Sequence, residues 1–89
     1  MIEMIRMKDL QKVTSYPRMA VYRKMKEGLL PRPISMGLRM VAWPKSEIET
    51  VMYARISGKG DDEIRKLVVD IMNARRSGVR PSETHAAPA

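Results

Sequence analysis

The stretch "YPRMAVYRKMKEGLLPRPISMGLR", residues 16–39, decides how the rest of the chain is read. It holds six cations, Arg18, Arg23, Lys24, Lys26, Arg32 and Arg39, against a single acid, Glu27. Pro17 cannot continue a helix from upstream, but it suits the first turn of a new one, where its missing N–H would have no partner anyway. Ser15 is the expected capping residue, with Tyr16 the chemically poorer alternative. A helix over about residues 17–27 then stops at Gly28, which accepts the left-handed conformation of a helix end. Val21, Met25 and Tyr22 form its expected inner stripe, and Arg18, Arg23, Lys24 and Lys26 fall on the remaining surface.

Upstream of this helix, "KDLQKV" places Leu10 and Val13 three apart, the spacing of a short helix that turns both inward. Before it, "MIEMIRM" offers Ile2, Met4 or Ile5, and Met7 for a short strand or extended lead-in. Two short helices joined by about three residues are the sequence image of a helix-turn-helix. Downstream, "LLPRP" ends the helical pattern. "ISM" and "RMVAW" follow as short apolar runs around "GL", with Gly37 supplying the unusual dihedral of a tight hairpin. This predicts a small wing with Arg39 at or beside its tip.

In "PKSEIETVMYARI" Pro44 is the expected first helical residue, and Ser46 with Glu49 makes a capping box. Ile48, Val51 or Met52, and Arg55 or Ile56 keep helical spacing. After "SGKG" a fourth helix opens on Asp61, Asp62 and Glu63, where negative charge complements the helix dipole. Its Ile64, Leu67, Val68, Ile71 and Met72 form an i, i+3, i+4, i+7, i+8 stripe, and Arg75 and Arg76 end it. The stripe has two readings, a face packed on its own domain or a contact with an oligomer or partner. "SGVRPSETHAAPA" lacks an apolar pattern and is expected to be disordered. The expected division is a winged helix-turn-helix over 1–58, an amphipathic helix over 59–76 and a tail over 77–89. The fold class is mainly α with a small β-hairpin wing, plus an extra C-terminal helix.

Bulk properties narrow the function. Eighty-nine residues make one small domain, and a chain of this size buries only about 60% of its unfolded surface. A core and a large substrate cavity compete for the same residues, which favours binding modules and small regulators over enzymes. There is no cysteine, so neither a disulfide framework nor a thiolate metal site is available. No apolar run approaches the roughly 20 residues of a membrane span, and the charged start is no signal peptide. A cytoplasmic chain is the expectation.

The net charge of +7 and pI near 10.2 point to a polyanion or an acidic partner. Residues 1–60 carry 12 Lys and Arg against 5 Asp and Glu, which is the entire excess, whereas residues 61–89 carry five of each. Catalytic chemistry finds no constellation. His85, the only histidine, lies in the tail. The Asp61–Asp62–Glu63 run is explained by the helix start without a cation, and "SGKGDD" is wrongly spaced for a phosphate loop. No catalytic residue, metal site or cofactor is predicted.

The basic helix has a use. Duplex DNA presents a phosphate charge every ~1.7 Å of axis, and an α-helix fits its major groove. In a helix-turn-helix the second helix enters that groove, mainly by its N-terminal residues. Arg18 and Arg23 are then candidates for base edges or nearby phosphates, and Tyr22 and Lys26 for backbone contacts. Arg39 on the wing would reach the adjacent minor groove, and Arg32 completes the basic set. Two rivals use the same charge. One is an RNA-binding or toxin-neutralising small protein, and the other a protein-interaction adaptor acting through the fourth helix.

At "VYRKMKEGLLPRPISMGLRMVAWPKSEIE" the chain resembles the AlpA-type prophage regulators, a branch of the MerR-like winged helix-turn-helix group that also includes small excisionases. The elements of the resemblance are Tyr22-Arg23, Gly28, Pro31 and Pro33, Gly37 and Arg39, Trp43, and Ser46-Glu47. They span about residues 5–56. The resemblance implies DNA binding by the second helix and wing. It also implies activation of an integrase promoter, or excision of an integrated element by bending attachment-site DNA beside an integrase. By position it carries Arg18, Tyr22 and Arg23 onto the recognition helix and Arg39 onto the wing. Implied partners are double-stranded DNA, an integrase, and further copies as a dimer or cooperative assembly, in a nucleoid-associated setting. Where the family has small polar residues, this chain has Met19 and Ala20, which are expected to pack on thymine methyl groups. Val51 stands where the family often has a second tryptophan, implying a smaller local core.

Overall fold

The computed structural model describes residues 1–77, and the tail readings, His85 included, lie outside them. Seven elements follow one another. They are β1 (Met4–Ile5), α1 (Met7–Thr14), α2 (Arg18–Lys26), β2 (Ile34–Gly37), β3 (Met40–Pro44), α3 (Lys45–Ile56) and α4 (Asp61–Ser77). The strands form an antiparallel sheet in the order β1-β3-β2. The fold is mainly helical with a small sheet, and a helix-turn-helix followed by a β-hairpin wing describes it. None of the described helices is long and apolar enough to cross a membrane.

Local chemistry explains most boundaries. Gly28 takes φ +79°, and the chain around it closes α2 with paired bonds from Gly28 N–H to Met25 O and from Leu29 N–H to Lys24 O. That reversed pair satisfies carbonyls which the helix end would leave bare. In the wing, Ile34 faces Ala42, Ser35 faces Val41, and a bulge precedes the Gly37–Met40 pair. Gly37 (φ +140°) and Arg39 (φ +55°) supply the turn between them. Arg39 is a non-glycine residue in the left-handed region, an uncommon placement.

The core draws on every helix. Leu10, Val21, Trp43, Ile48, Val51, Ile64 and Ile71 are all essentially inaccessible and belong to one cluster. Trp43 is anchored at both ends of its character: its ring is buried, and its Nε1–H donates to the Pro31 carbonyl at 2.9 Å. The Pro-x-Pro segment is thereby fixed against the base of the wing. Burying an indole without such a partner would leave its N–H unsatisfied.

Several sequence expectations change. Val13 is 37% exposed, and Thr14 is the buried partner of Leu10. The helix packs by an i, i+4 pair because the Thr14 hydroxyl is satisfied by the Leu10 carbonyl at 2.8 Å. Ser15 does not cap α2. It closes α1 at φ +63°, and Pro17 stands at the start of α2 with no side-chain cap. Tyr22 is half exposed rather than inward. The capping box is also absent: Pro44 ends β3 and caps α3 without a side-chain bond, while Ser46 lies inside the first turn, its carbonyl taken by the Thr50 hydroxyl.

Helix α4 takes one of the two readings that its sequence allowed, packing on the domain's own core. Ile64, Val68 and Ile71 are buried in the common cluster, with Leu67 and Met72 packed against it. The apolar stripe is therefore occupied by this chain's own core, and the readings of Ile64, Val68 and Ile71 as oligomer or partner contacts give way to it. The turn at Gly58 separates two helices, not two cores. Two polar contacts lock the arrangement. Glu47, 1% exposed at the start of α3, takes a forked contact from Arg75 near the end of α4, with Nε 2.9 Å from Oε2 and Nη2 on Oε1. Arg65 Nε donates to the Glu27 carbonyl at 2.9 Å, so α4 also completes the C-terminus of α2.

Candidate nucleic-acid interface

The exposed arc of α2 follows from its periodicity. At 3.6 residues per turn, Arg18, Met19, Tyr22, Arg23 and Lys26 share one side of about 140°, and Ala20, Val21, Lys24 and Met25 share the other. The structure divides them the same way. All five on the first side are exposed, whereas Ala20 and Val21 are buried. Met19 is the most prominent apolar member at 79% exposure. Ala20, expected beside it at thymine methyls, is only 7% exposed and serves the core instead. Lys24 is drawn to the back, its Nζ 5.6 Å from the Tyr16 ring centroid, an attraction of cation to ring quadrupole.

Three elements meet beside this arc. A groove of about 430 Å³ is lined by Arg6, Met7, Lys8 and Gln11 of the α1 region, by Arg18, Tyr22 and Met25 of α2, and by Pro33, Arg39, Val41 and Trp43 around the wing. Four cations line it and no acid does. Arg18 and Tyr22 are paired across one helical turn. The guanidinium carbon lies 5.7 Å from the ring centroid, and Nη2 donates to the phenol oxygen at 3.3 Å. The pair orders two long side chains on the rim while leaving the guanidinium's other donors unused. A second depression, lined by Met25, Lys26, Arg32 and Pro33, continues the basic surface past the end of α2.

The charge is free to act. Among the described residues, the ion pairs involve Lys45, Arg55, Lys59, Arg65 and Arg75. Arg6, Lys8, Arg18, Arg23, Lys26, Arg32 and Arg39 enter none of them. The acidic run at the start of α4 is paired with this chain's own side chains: Asp61 meets Arg55 at 3.2 Å, Asp62 meets Arg65 at 3.2 Å and Glu63 meets Lys59 at 3.5 Å. Within the described residues, no group of three His, Cys, Asp or Glu side chains is arranged to hold a metal.

Of the residues singled out in the sequence, the groove brings together Arg18, Tyr22 and Arg39. Lys26 and Arg32 share the second depression. Arg23 and Met19 stand on the exposed arc between these features. Arg6 and Lys8 stand apart from the dense basic run after residue 16, so the sequence does not single them out. The signal available was modest: Arg6 directly precedes α1, and Lys8 and Gln11 lie on it away from the buried Leu10. No curated protein and no solved structure matches the chain. The sequence model of the prophage CP4-57 regulatory protein (AlpA) matches residues 3–56, more than half of the 89 and the whole span from β1 through α3 that builds this basic groove, and the chain belongs to that family of prophage regulatory proteins.

Proposed function

We propose that the chain is a sequence-specific DNA-binding regulator of a prophage or mobile element. The observation that carries this reading is the groove in which Arg6, Lys8, Arg18 and Arg39, from three separate elements, face one space without an acid. Cations gathered from distant points of the sequence and left unpaired are costly to hold together unless a polyanion meets them. The exposed arc of α2 enters the major groove by its N-terminal end, placing Arg18 and Met19 nearest the base edges. Arg can bond guanine O6 and N7, and a methionine side chain offers apolar contact to thymine methyl groups. Lys26 and Arg32 meet phosphates on one flank, and Arg6 and Lys8 meet them on the other. The wing contacts the neighbouring minor groove.

The regulated DNA is the element's own integrase promoter or its attachment site, where the protein acts beside an integrase and leaves bond chemistry to it. The competing role of α4 as a docking helix has lost its apolar stripe to the core. The test is fluorescence anisotropy on duplexes from the attachment and integrase-promoter region, with a random duplex and an RNA duplex of equal length, across a salt series. Binding to one DNA duplex at least about tenfold above random DNA, a difference of ~1.4 kcal/mol, is the expected result. The logarithmic salt slope should be about −0.9 per phosphate contacted. Equal affinity for random DNA, or preference for the RNA, would overturn the reading.

A further inference from the structure

The turn of the wing holds a second feature that charge does not explain. Between Gly37 and Met40 the chain turns through Leu38 and Arg39. Leu38 is 98% exposed, and Met36, Met40 and Val41 around it are each more than two-fifths exposed. Two-residue hairpin turns favour Asn, Asp and Gly, whose short or absent side chains suit the backbone. A leucine contributes nothing to such a turn and leaves its whole side chain in water. Arg39 borders the four-cation groove, whereas Leu38 lies outside that lining. The tip therefore leads with an apolar end and carries a cation behind it.

The occupant of this tip is narrowed by what surrounds it. From Gly28 through Ser46 the chain contains no Asp or Glu, so a partner there must offer negative charge close to apolar surface. A duplex does so everywhere, with phosphates outside and stacked base faces within. Leucine is among the side chains that architectural proteins insert between base steps, partially unstacking them and kinking the helix. We propose that Leu38 is a wedge that enters a base-pair step of the minor groove flanking the major groove filled by α2, with Arg39 held on the adjacent phosphates or groove floor. Pyrimidine–purine steps unstack most easily, so the wedge selects such a step at a position read by no hydrogen bond. This inference rests on the DNA-binding reading and adds a residue, a groove and a step class to it.

The experiment compares wild type with Leu38→Ser and Leu38→Met on end-labelled duplexes from the same attachment and promoter region, reading bend by energy transfer between the ends and affinity by anisotropy. Leu38 is fully exposed, so Leu38→Ser should keep the circular dichroism spectrum of the wild type. The expected result is a kink within roughly 20–90° for wild type, retained by Leu38→Met and lost by Leu38→Ser. Leu38→Ser should also lose the wild-type preference for a duplex with a mismatch at the contacted step, where unstacking is already done. Tight binding with no bend, or a bend unchanged in Leu38→Ser, overturns the wedge while leaving DNA binding intact. Self-association in wild type that Leu38→Ser abolishes, with bend unchanged, assigns the tip to a second copy and overturns it as well. Failure of the wild type to bind any duplex overturns the underlying reading and the wedge together.

Discussion

Two faces of this small protein treat the same residue types in opposite ways. On the α3–α4 side, cations and acids are matched: Arg75 with Glu47, Arg55 with Asp61, Arg65 with Asp62, Lys59 with Glu63. On the α1–α2–wing side, Arg6, Lys8, Arg18, Arg23, Lys26, Arg32 and Arg39 are among the cations that have no carboxylate partner within the described residues, and Met19, Tyr22, Leu38 and Val41 stand exposed on the same side. The first face uses charge to hold the fold together. The second leaves charge and apolar surface available, the arrangement that the proposed DNA-binding role requires. Composition alone blurs this distinction, since it averages both faces into a net +7.

The sharpest way to break the comparison is at its best-paired site. Arg75→Ala strands the buried Glu47 carboxylate, and breaking a buried pair by removing one partner costs about 3–5 kcal/mol. Urea denaturation should register that loss in the midpoint, while the folded fraction keeps its DNA affinity. A loss under about 1 kcal/mol would mean that Glu47 finds water or another donor. On the opposite face the signs reverse. Arg18→Ala should leave the denaturation midpoint unchanged within about 0.5 kcal/mol and cost about 1–3 kcal/mol of binding at the preferred site. Equal losses on specific and random DNA would reduce Arg18 to a phosphate contact.

A smaller effect tests the residues that only the structure placed in the groove. Replacing Arg6 and Lys8 together by alanine should weaken binding to specific and random duplexes alike and flatten the logarithmic salt slope by about 1 for each phosphate lost. An unchanged slope would remove the α1 flank from the interface. The smallest effect is expected where pairing is exposed. Lys59, just before α4, and Glu63 in its first turn, both more than half exposed, form an exposed ion pair of a kind worth about 0.2–1 kcal/mol. Glu63→Gln should cost no more than that in stability, shrink further at high salt, and leave DNA binding unaltered.

Much of the local architecture was legible in the sequence because it is written in residues with few conformational options. Gly28 ends α2, Gly37 opens the wing turn, and Pro17 marks a helix start, each through its own backbone preferences. The cluster of exposed cations on α2 was legible too, since periodicity alone sorts Arg18, Arg23 and Lys26 from Val21 and Met25, whereas Tyr22, expected inward, is half exposed. Capping was less legible. Ser15 and Ser46 are good caps by chemistry, but Pro17 and Pro44 fix the extended backbone at those boundaries and leave each serine two residues from the capping position.

What the sequence determined by itself is thus the set of elements, the stripe of α4 and the sign of the surface, all consequences of short-range geometry and composition. What only the tertiary structure decided is which surfaces meet. Glu47 reads as one more acid near a helix start until α4 brings Arg75 across 28 residues of chain to close on it. The α4 stripe reads equally as a core face or a partner face until Leu10, Val21 and Trp43 are found packed with Ile64 and Ile71. Arg6 and Lys8 join Arg18 and Arg39 only because β1 pairs with β3 and swings the start of α1 beside the wing. Each case turns on long-range burial, whose free energy depends on which apolar faces find one another and is written in no single segment.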